Sequence, residues 1–184
     1  MSLKKFFLIL FLILLIFYIW NTKFLLKILN PIHYKEEIFR YAEENSLDPY
    51  LVVSIIRVES KFDKEAISPK GALGLMQVYP KTAEWVAPKV GINDYRNEML
   101  FDPEINIKIG CWYLGYLLNY FKGKDIKVVL AAYNAGIGNV ERWLKDERYS
   151  VNGKDLKEIP FDETKEYVEK VLKYYEIYKN IYGY

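Results

Sequence analysis

With a single cysteine, Cys111, and a single histidine, His33, the 184-residue chain excludes several chemistries at once. No internal disulfide can form and no Cys/His zinc cluster can assemble, and a Ser-His hydrolytic dyad would have to use His33. His33 stands beside an apolar leader and reads as a surface residue. Cys111 lies in an aromatic-rich helical stretch and reads as a small hydrophobe. The alternating acids of a calcium loop are missing too, so neither a metal nor another cofactor is expected. Strands of convincing two-residue alternation are missing, as are internal repeats. Neither sign of charge dominates, with 26 Lys and Arg against 24 Asp and Glu. Residues 1–30 hold Lys4, Lys5, Lys23 and Lys27 and no acid, which leaves the rest slightly acidic. Nucleic acid is therefore not expected as a partner.

What the chain does have is hydrophobic residues, 52% of the total, enough for one domain with a real core. Phe6 to Trp20 is an unbroken apolar run behind Lys4-Lys5. Its length suits a signal-peptide core and falls short of the roughly 20 residues of a membrane span. The run resumes, however, as Phe24-Leu25-Leu26 and Ile28-Leu29, where Lys23 and Lys27 can snorkel to head groups. Tyr18-Ile19-Trp20-Asn21 is bulky where a signal peptidase needs small residues, and no cysteine follows to carry a lipid. Residues 1–30 are read as a single-pass signal anchor in the cell membrane, and residues 31–184 as the functional domain on its outer side. Cleavage and secretion is the alternative, and lysines at both ends specify orientation only weakly.

Beyond Asn30-Pro31 the periodicity is helical throughout. Residues 32–46 place Tyr34, Ile38, Tyr41 and Ala42 on one face. Asp48-Pro49, Asp102-Pro103 and Asp125 each open a helix, because aspartate accepts from the free amides of a first turn and proline fits its first position. Ile105, Ile109, Trp112, Tyr113, Tyr116, Leu117 and Tyr120 read as a core stripe. Tyr167, Val168, Val171, Leu172, Tyr175 and Tyr178 make the buried face of a last helix from Asp162. The fold class is mainly α, with at most a small β-hairpin near Gly71–Gln77.

Glu59 is the residue that stands out. Val52, Ile55, Ile56 and Glu59 share one helix face, and the positions three and four away from Glu59 (Ile55, Ile56, Phe62, Asp63) offer no basic partner. A carboxyl placed there is costly to ionise, so its pKa should rise towards neutrality, as a general acid requires. A glutamate hydrogen-bonded inside a core, or one ending an amphipathic stripe, would fit the same pattern.

Four separated stretches in this order resemble the soluble-lytic-transglycosylase (SLT) domain family. They are Glu59-Ser60, Gly-Ala-Leu-Gly-Leu-Met-Gln at 71–77, Ala-Tyr-Asn-Ala-Gly at 132–136, and Ile-Pro-Phe-Asp-Glu-Thr-Lys-Glu-Tyr-Val at 159–168. The resemblance implies a lysozyme-like helical domain that cuts the MurNAc–GlcNAc link of peptidoglycan glycan strands and acts as a monomer. It implies Glu59 as catalytic acid and base, with Ser60, Met76, Gln77, Tyr133, Asn134 and Tyr167 around the substrate. Ser60 would position substrate or the glutamate, Met76 would act partly through its backbone, and Tyr167 would either reach the glutamate or pack as a core tyrosine. Glu163 is expected to cap the last helix rather than to take part in the chemistry. A single acid suffices if the MurNAc 6-hydroxyl is the nucleophile, giving 1,6-anhydro ends. A water-using muramidase and a non-catalytic glycan-binding scaffold are the competing readings.

Overall fold

The computed structural model describes residues 3–183, with the side chains of residues 19–21 left out. The part of the cleavage-site reading that rests on Ile19, Trp20 and Asn21 therefore lies outside the described residues. Among the described residues eight α-helices follow in order: α1 Leu3–Leu29, α2 Lys35–Glu44, α3 Pro49–Glu59, α4 Pro80–Val86, α5 Pro103–Tyr120, α6 Ile126–Ala135, α7 Ile137–Lys145 and α8 Asp162–Tyr182. Short 3₁₀ turns occupy Ala87–Val90 and Asn97–Phe101.

The aspartate starts form as the sequence implies. Asp48 accepts from the Tyr50 amide, Asp102 from Ile105 and Asp125 from Lys127, each with its side-chain oxygen. Among the described residues the hairpin reduces to two isolated bridges, Ile67 with Leu73 and Leu73 with Val78. The domain is thus helical, with a pinched loop where the small β-element was expected.

α1 is long and apolar enough to cross a membrane, and its described side chains are mostly exposed, from Leu3 at 73% onwards. Its end leans on α8. The Tyr182 hydroxyl lies against the carbonyl oxygens of Asn30 at 3.0 Å and Lys27 at 3.3 Å, and the Lys27 ammonium sits over the Tyr182 ring.

α3 is buried on nearly every side: Leu51 to Ile56 are all in the core, Ser54 included. Ser54 lies off the face shared by Val52, Ile55, Ile56 and Glu59. It is buried because α8 and α2 both pack on α3, and its hydroxyl is satisfied by donating to the Tyr50 carbonyl at 2.6 Å. α5 brings a larger correction. Its buried face is Asn106, Ile107, Ile109, Gly110, Cys111, Leu114 and Leu117, whereas Trp112, Tyr113 and Tyr116 are half-buried and Tyr120 is exposed. The aliphatic residues fill the core and the aromatic side of the helix stays at the surface. Cys111 is buried as expected, and burial holds its thiol pKa well up.

A candidate active site

Glu59 is the last residue of α3, the most enclosed helix of the domain. The helix stops there because the chain turns left-handed at Lys61 and Phe62, with φ of 54° and 68°. Ser60 stabilises that turn from within. Its hydroxyl donates to the Ile56 carbonyl and accepts from the Phe62 amide, both at 3.2 Å. Ser60 is therefore in the frame that fixes Glu59 and not in the wall of the groove.

The groove opens over Glu59 as two joined chambers. The inner one, about 250 Å³, is bordered by Glu59, Ser68, Ala72, Gln77, Tyr133 and Asn134. The second, about 400 Å³, shares Gln77, Tyr79, Tyr133 and Asn134 and runs on to Thr82, Tyr113 and Phe161. Glu59 faces this groove with its pKa pushed up to about 8. Burial is the main cause and the Glu163 charge adds to it, while the Tyr167 hydroxyl pulls the other way. That hydroxyl is buried on α8 and directed at Glu59, but lacks the alignment of an ordinary hydrogen bond to any partner. Its own pKa is raised well above the usual phenol range, by burial first and then by the Glu59 charge.

The loop from Ser60 to Tyr79 forms the floor, and Asn106 of α5 holds it. The buried Asn106 side chain accepts from the Met76 amide at 2.8 Å and donates to the Leu73 and Leu100 carbonyls at 2.9 and 2.8 Å. Gly74, with φ +73°, passes so close to this amide that a Cβ there would strike Asn106 and the Leu100 carbonyl. Met76 is fully buried, and its carbonyl accepts from the Tyr133 hydroxyl at 2.9 Å. The Met76 backbone thus attaches the floor to α6. Gln77 does line both chambers, but its amide nitrogen is committed to the Ala66 and Gly74 carbonyls at 3.0 and 2.8 Å. Only its oxygen is left for a ligand, although a free glutamine amide could both donate and accept.

Tyr133 and Asn134 come from the end of α6, where Gly136 at φ +86° lets α7 begin at once. Thr164 of α8 donates to the Asn134 amide oxygen at 2.7 Å, which leaves the Asn134 N–H donors for the groove. At the mouth, Lys70 and Glu163 form an ion pair of 2.7 Å, both about two-thirds exposed. Glu163 sits in the first turn of α8, where a carboxylate is favoured, and that carboxylate also reaches across to Lys70 of the loop.

Of the seven residues expected around substrate, the structure brings Glu59, Gln77, Tyr133 and Asn134 to the groove. It places Tyr167 against Glu59 from behind, and Ser60 and Met76 in the supporting frame. Sequence reasoning missed Asn106, Thr164, Lys70 and Tyr79. Asn106 carried a signal, a polar residue between Ile105 and Ile107 in an apolar stripe; Thr164 lay within the 159–168 stretch without being singled out, and Lys70 carried none.

Comparison with known proteins adds a separate line. A family model described as "Transglycosylase SLT domain" matches residues 36–155. The soluble lytic murein transglycosylase of Escherichia coli K12 is 37% identical over 155 residues, covering 83% of this chain and 24% of that protein. A membrane-bound lytic murein transglycosylase C from Edwardsiella ictaluri is 34% identical over 135 residues, covering 65% of this chain and 36% of that one. Among solved structures, an inactive Glu-to-Gln mutant of the lytic transglycosylase Slt from Pseudomonas aeruginosa superposes with a TM-score of 0.73 at 37% identity. It covers 84% of this chain and 25% of its own. The chain thus spans about a quarter of the length of the Escherichia coli and Pseudomonas aeruginosa proteins.

Proposed function

The chain belongs to the transglycosylase SLT family, and on that premise we propose that it is a membrane-tethered lytic transglycosylase. Its substrate is the MurNAc–GlcNAc β-1,4 link of peptidoglycan glycan strands. Glu59 gives its proton to the glycosidic oxygen as the bond from that oxygen to C1 of MurNAc breaks. The carboxylate so formed takes the proton of the 6-hydroxyl of the same MurNAc, and O6 closes on C1. The products are a 1,6-anhydro-MurNAc end and a free GlcNAc 4-hydroxyl, and no water is consumed.

The observation that carries this reading is the state of Glu59, whose pKa of about 8 keeps it proton-bearing at neutral pH inside a groove. A glycosidase of the usual kind needs a second carboxylate across the scissile bond. The other acid bordering the chambers, Glu163, is tied to Lys70 at the mouth. A nucleophile supplied by the sugar removes the need for that partner, and intramolecular attack gains from high effective concentration. Asn134 offers donors and Gln77 an acceptor to sugar hydroxyls, Tyr133 holds the floor beside the acid, and Tyr167 tunes it. Residues 1–30 serve as the membrane anchor and residues 31–184 as a monomeric catalytic unit outside the cytoplasm.

Digestion of intact sacculi by the full chain, followed by mass spectrometry of the products, tests this. Anhydro ends are expected. Reducing ends would mean a muramidase that uses water, and binding without cleavage would mean a glycan-binding scaffold.

A further inference from the structure

The aromatic side of α5 that stays out of the core has no role in the chemistry above. Trp112 and Tyr116 stack with ring centres 5.8 Å apart and 6° between planes. Trp85 of α4 stands edge-on to both, at 5.4 and 5.0 Å, and is 42% exposed. Beside it lies a third cavity, about 300 Å³, walled by Lys81, Thr82, Trp85, Tyr113, Tyr116 and Ile137. Thr82 and Tyr113 also border the second chamber of the groove, so this cavity continues the groove outward. The rings trace the same course inward, Trp85 to Tyr113 at 6.5 Å and Tyr113 to Tyr133 at 5.7 Å.

Trp85 is exposed and the other rings are half-buried, and the cluster is held from within. Edge-to-face and stacked contacts fix each ring, and the Lys89 ammonium, outside the cavity, sits over Trp85 at 5.2 Å. Rings already held in place lose little freedom when a ligand arrives, so the apolar area they offer is converted efficiently into affinity. Flat aromatic surface with a hydroxyl (Thr82) and an ammonium (Lys81) at its edge matches a pyranose ring. The sugar's C–H face lies on the aromatic surface and its hydroxyls reach the polar rim.

We propose that Trp85, Tyr113 and Tyr116 form a distal sugar subsite that stacks a further pyranose of the glycan strand and makes the protein favour long strands over short ones. This rests on the groove being the peptidoglycan site. It commits to a strand continuing out of the groove, because the cavity shares its walls with the chamber next to Glu59.

Calorimetry on the full chain in detergent micelles, carrying Glu59→Gln to prevent turnover, would use peptide-free glycan tetrasaccharide and octasaccharide. The octasaccharide is expected to bind about ten-fold tighter than the tetrasaccharide. Adding Trp85→Ala should abolish that advantage and leave tetrasaccharide binding unchanged, while Trp85→Tyr should keep most of it. An octasaccharide advantage that survives Trp85→Ala, or one absent from the start, overturns the subsite. If the wild-type chain leaves sacculi uncut, the catalytic reading fails instead, and the length dependence of binding still decides the subsite.

Discussion

Tyr133 donates its phenolic hydrogen to the Met76 carbonyl oxygen at 2.9 Å, and that bond ties α6 to the floor of the groove. Because the proton is committed there, the Tyr133 oxygen keeps only its lone pairs for the chamber it shares with Glu59. Tyr133→Phe removes the bond and that oxygen together. Turnover is expected to fall by about ten- to a hundred-fold. Unfolding free energy should drop by about 1–2 kcal/mol, because the Met76 carbonyl loses its partner. Muropeptide release and urea unfolding measure the two separately, and unchanged turnover would detach Tyr133 from the chemistry.

The acid itself predicts a pH profile. A donor works only while it holds its proton, and Glu59 is pushed up to about 8 by burial. The kcat/KM for solubilised glycan strands is expected to be level across the neutral range and to fall above pH about 8. Glu59→Gln should lower turnover by about 10³-fold or more with binding retained. An alkaline limb that persists in the residual activity of the Gln variant would assign the titration to another group.

Stability should follow the same proton with a definite sign. Glu59 holds it up to about pH 8 in the folded chain and, as an ordinary carboxyl, only to about 4.5 when unfolded. Below pH 4.5 both states carry the proton and nothing changes. Between 4.5 and 8 the unfolded state releases a proton that the folded state keeps, so stability falls as pH rises, and above 8 the cost is constant. Glu59→Gln is free of this burden and is expected to gain on the wild type across that window, on the order of 3–5 kcal/mol. Parallel urea titrations at pH 4, 6 and 8 would reveal the gain, and a constant difference between the two proteins would contradict it.

Helix starts were legible because each depends on a few adjacent residues, as Asp48-Pro49, Asp102-Pro103 and Asp125 show. The high pKa of Glu59 was legible for a similar reason, since α3 supplies its apolar side and no cation. The aromatic side of α5 was not. Spacing alone cannot tell which of two apolar arcs meets the core, and here the aliphatic arc of Ile107, Cys111 and Leu114 won. Nor could Ser60, Met76 and Gln77 be sorted into wall and frame from the sequence, because their hydrogen bonds depend on how a twenty-residue loop folds back. The Asn106 clamp joins residues some 30 positions apart, and no local pattern announces such a contact.

Tyr167 gives a test that separates tuning from packing. Its hydroxyl is buried without a well-formed partner, so Tyr167→Phe should cost little stability, within about 1 kcal/mol. The same hydroxyl lowers the Glu59 pKa, and its removal should shift the alkaline limb of activity to higher pH. A core tyrosine with no link to the acid would leave that limb in place.

The floor of the groove predicts where stability and function are coupled. Asn106→Ala would strand the Met76 amide and the Leu73 and Leu100 carbonyls in a buried setting. At about 1–3 kcal/mol for each unsatisfied group, a loss of at least 3 kcal/mol is expected. Asn106→Asp keeps the acceptor for Met76 but sets a carboxylate against two carbonyls, and should be no milder. Gly74→Ala fails for a different reason, because its methyl group would enter the space of the Asn106 side chain while the backbone sits at φ +73°. All three loosen the loop that Tyr133 grips through Met76. Activity measured well below each variant's melting temperature should therefore drop as well, with KM raised more than kcat is lowered. A variant that melts early yet binds glycan strands normally when folded would show that the floor is scaffold alone, and that the groove keeps its shape without the Asn106 clamp.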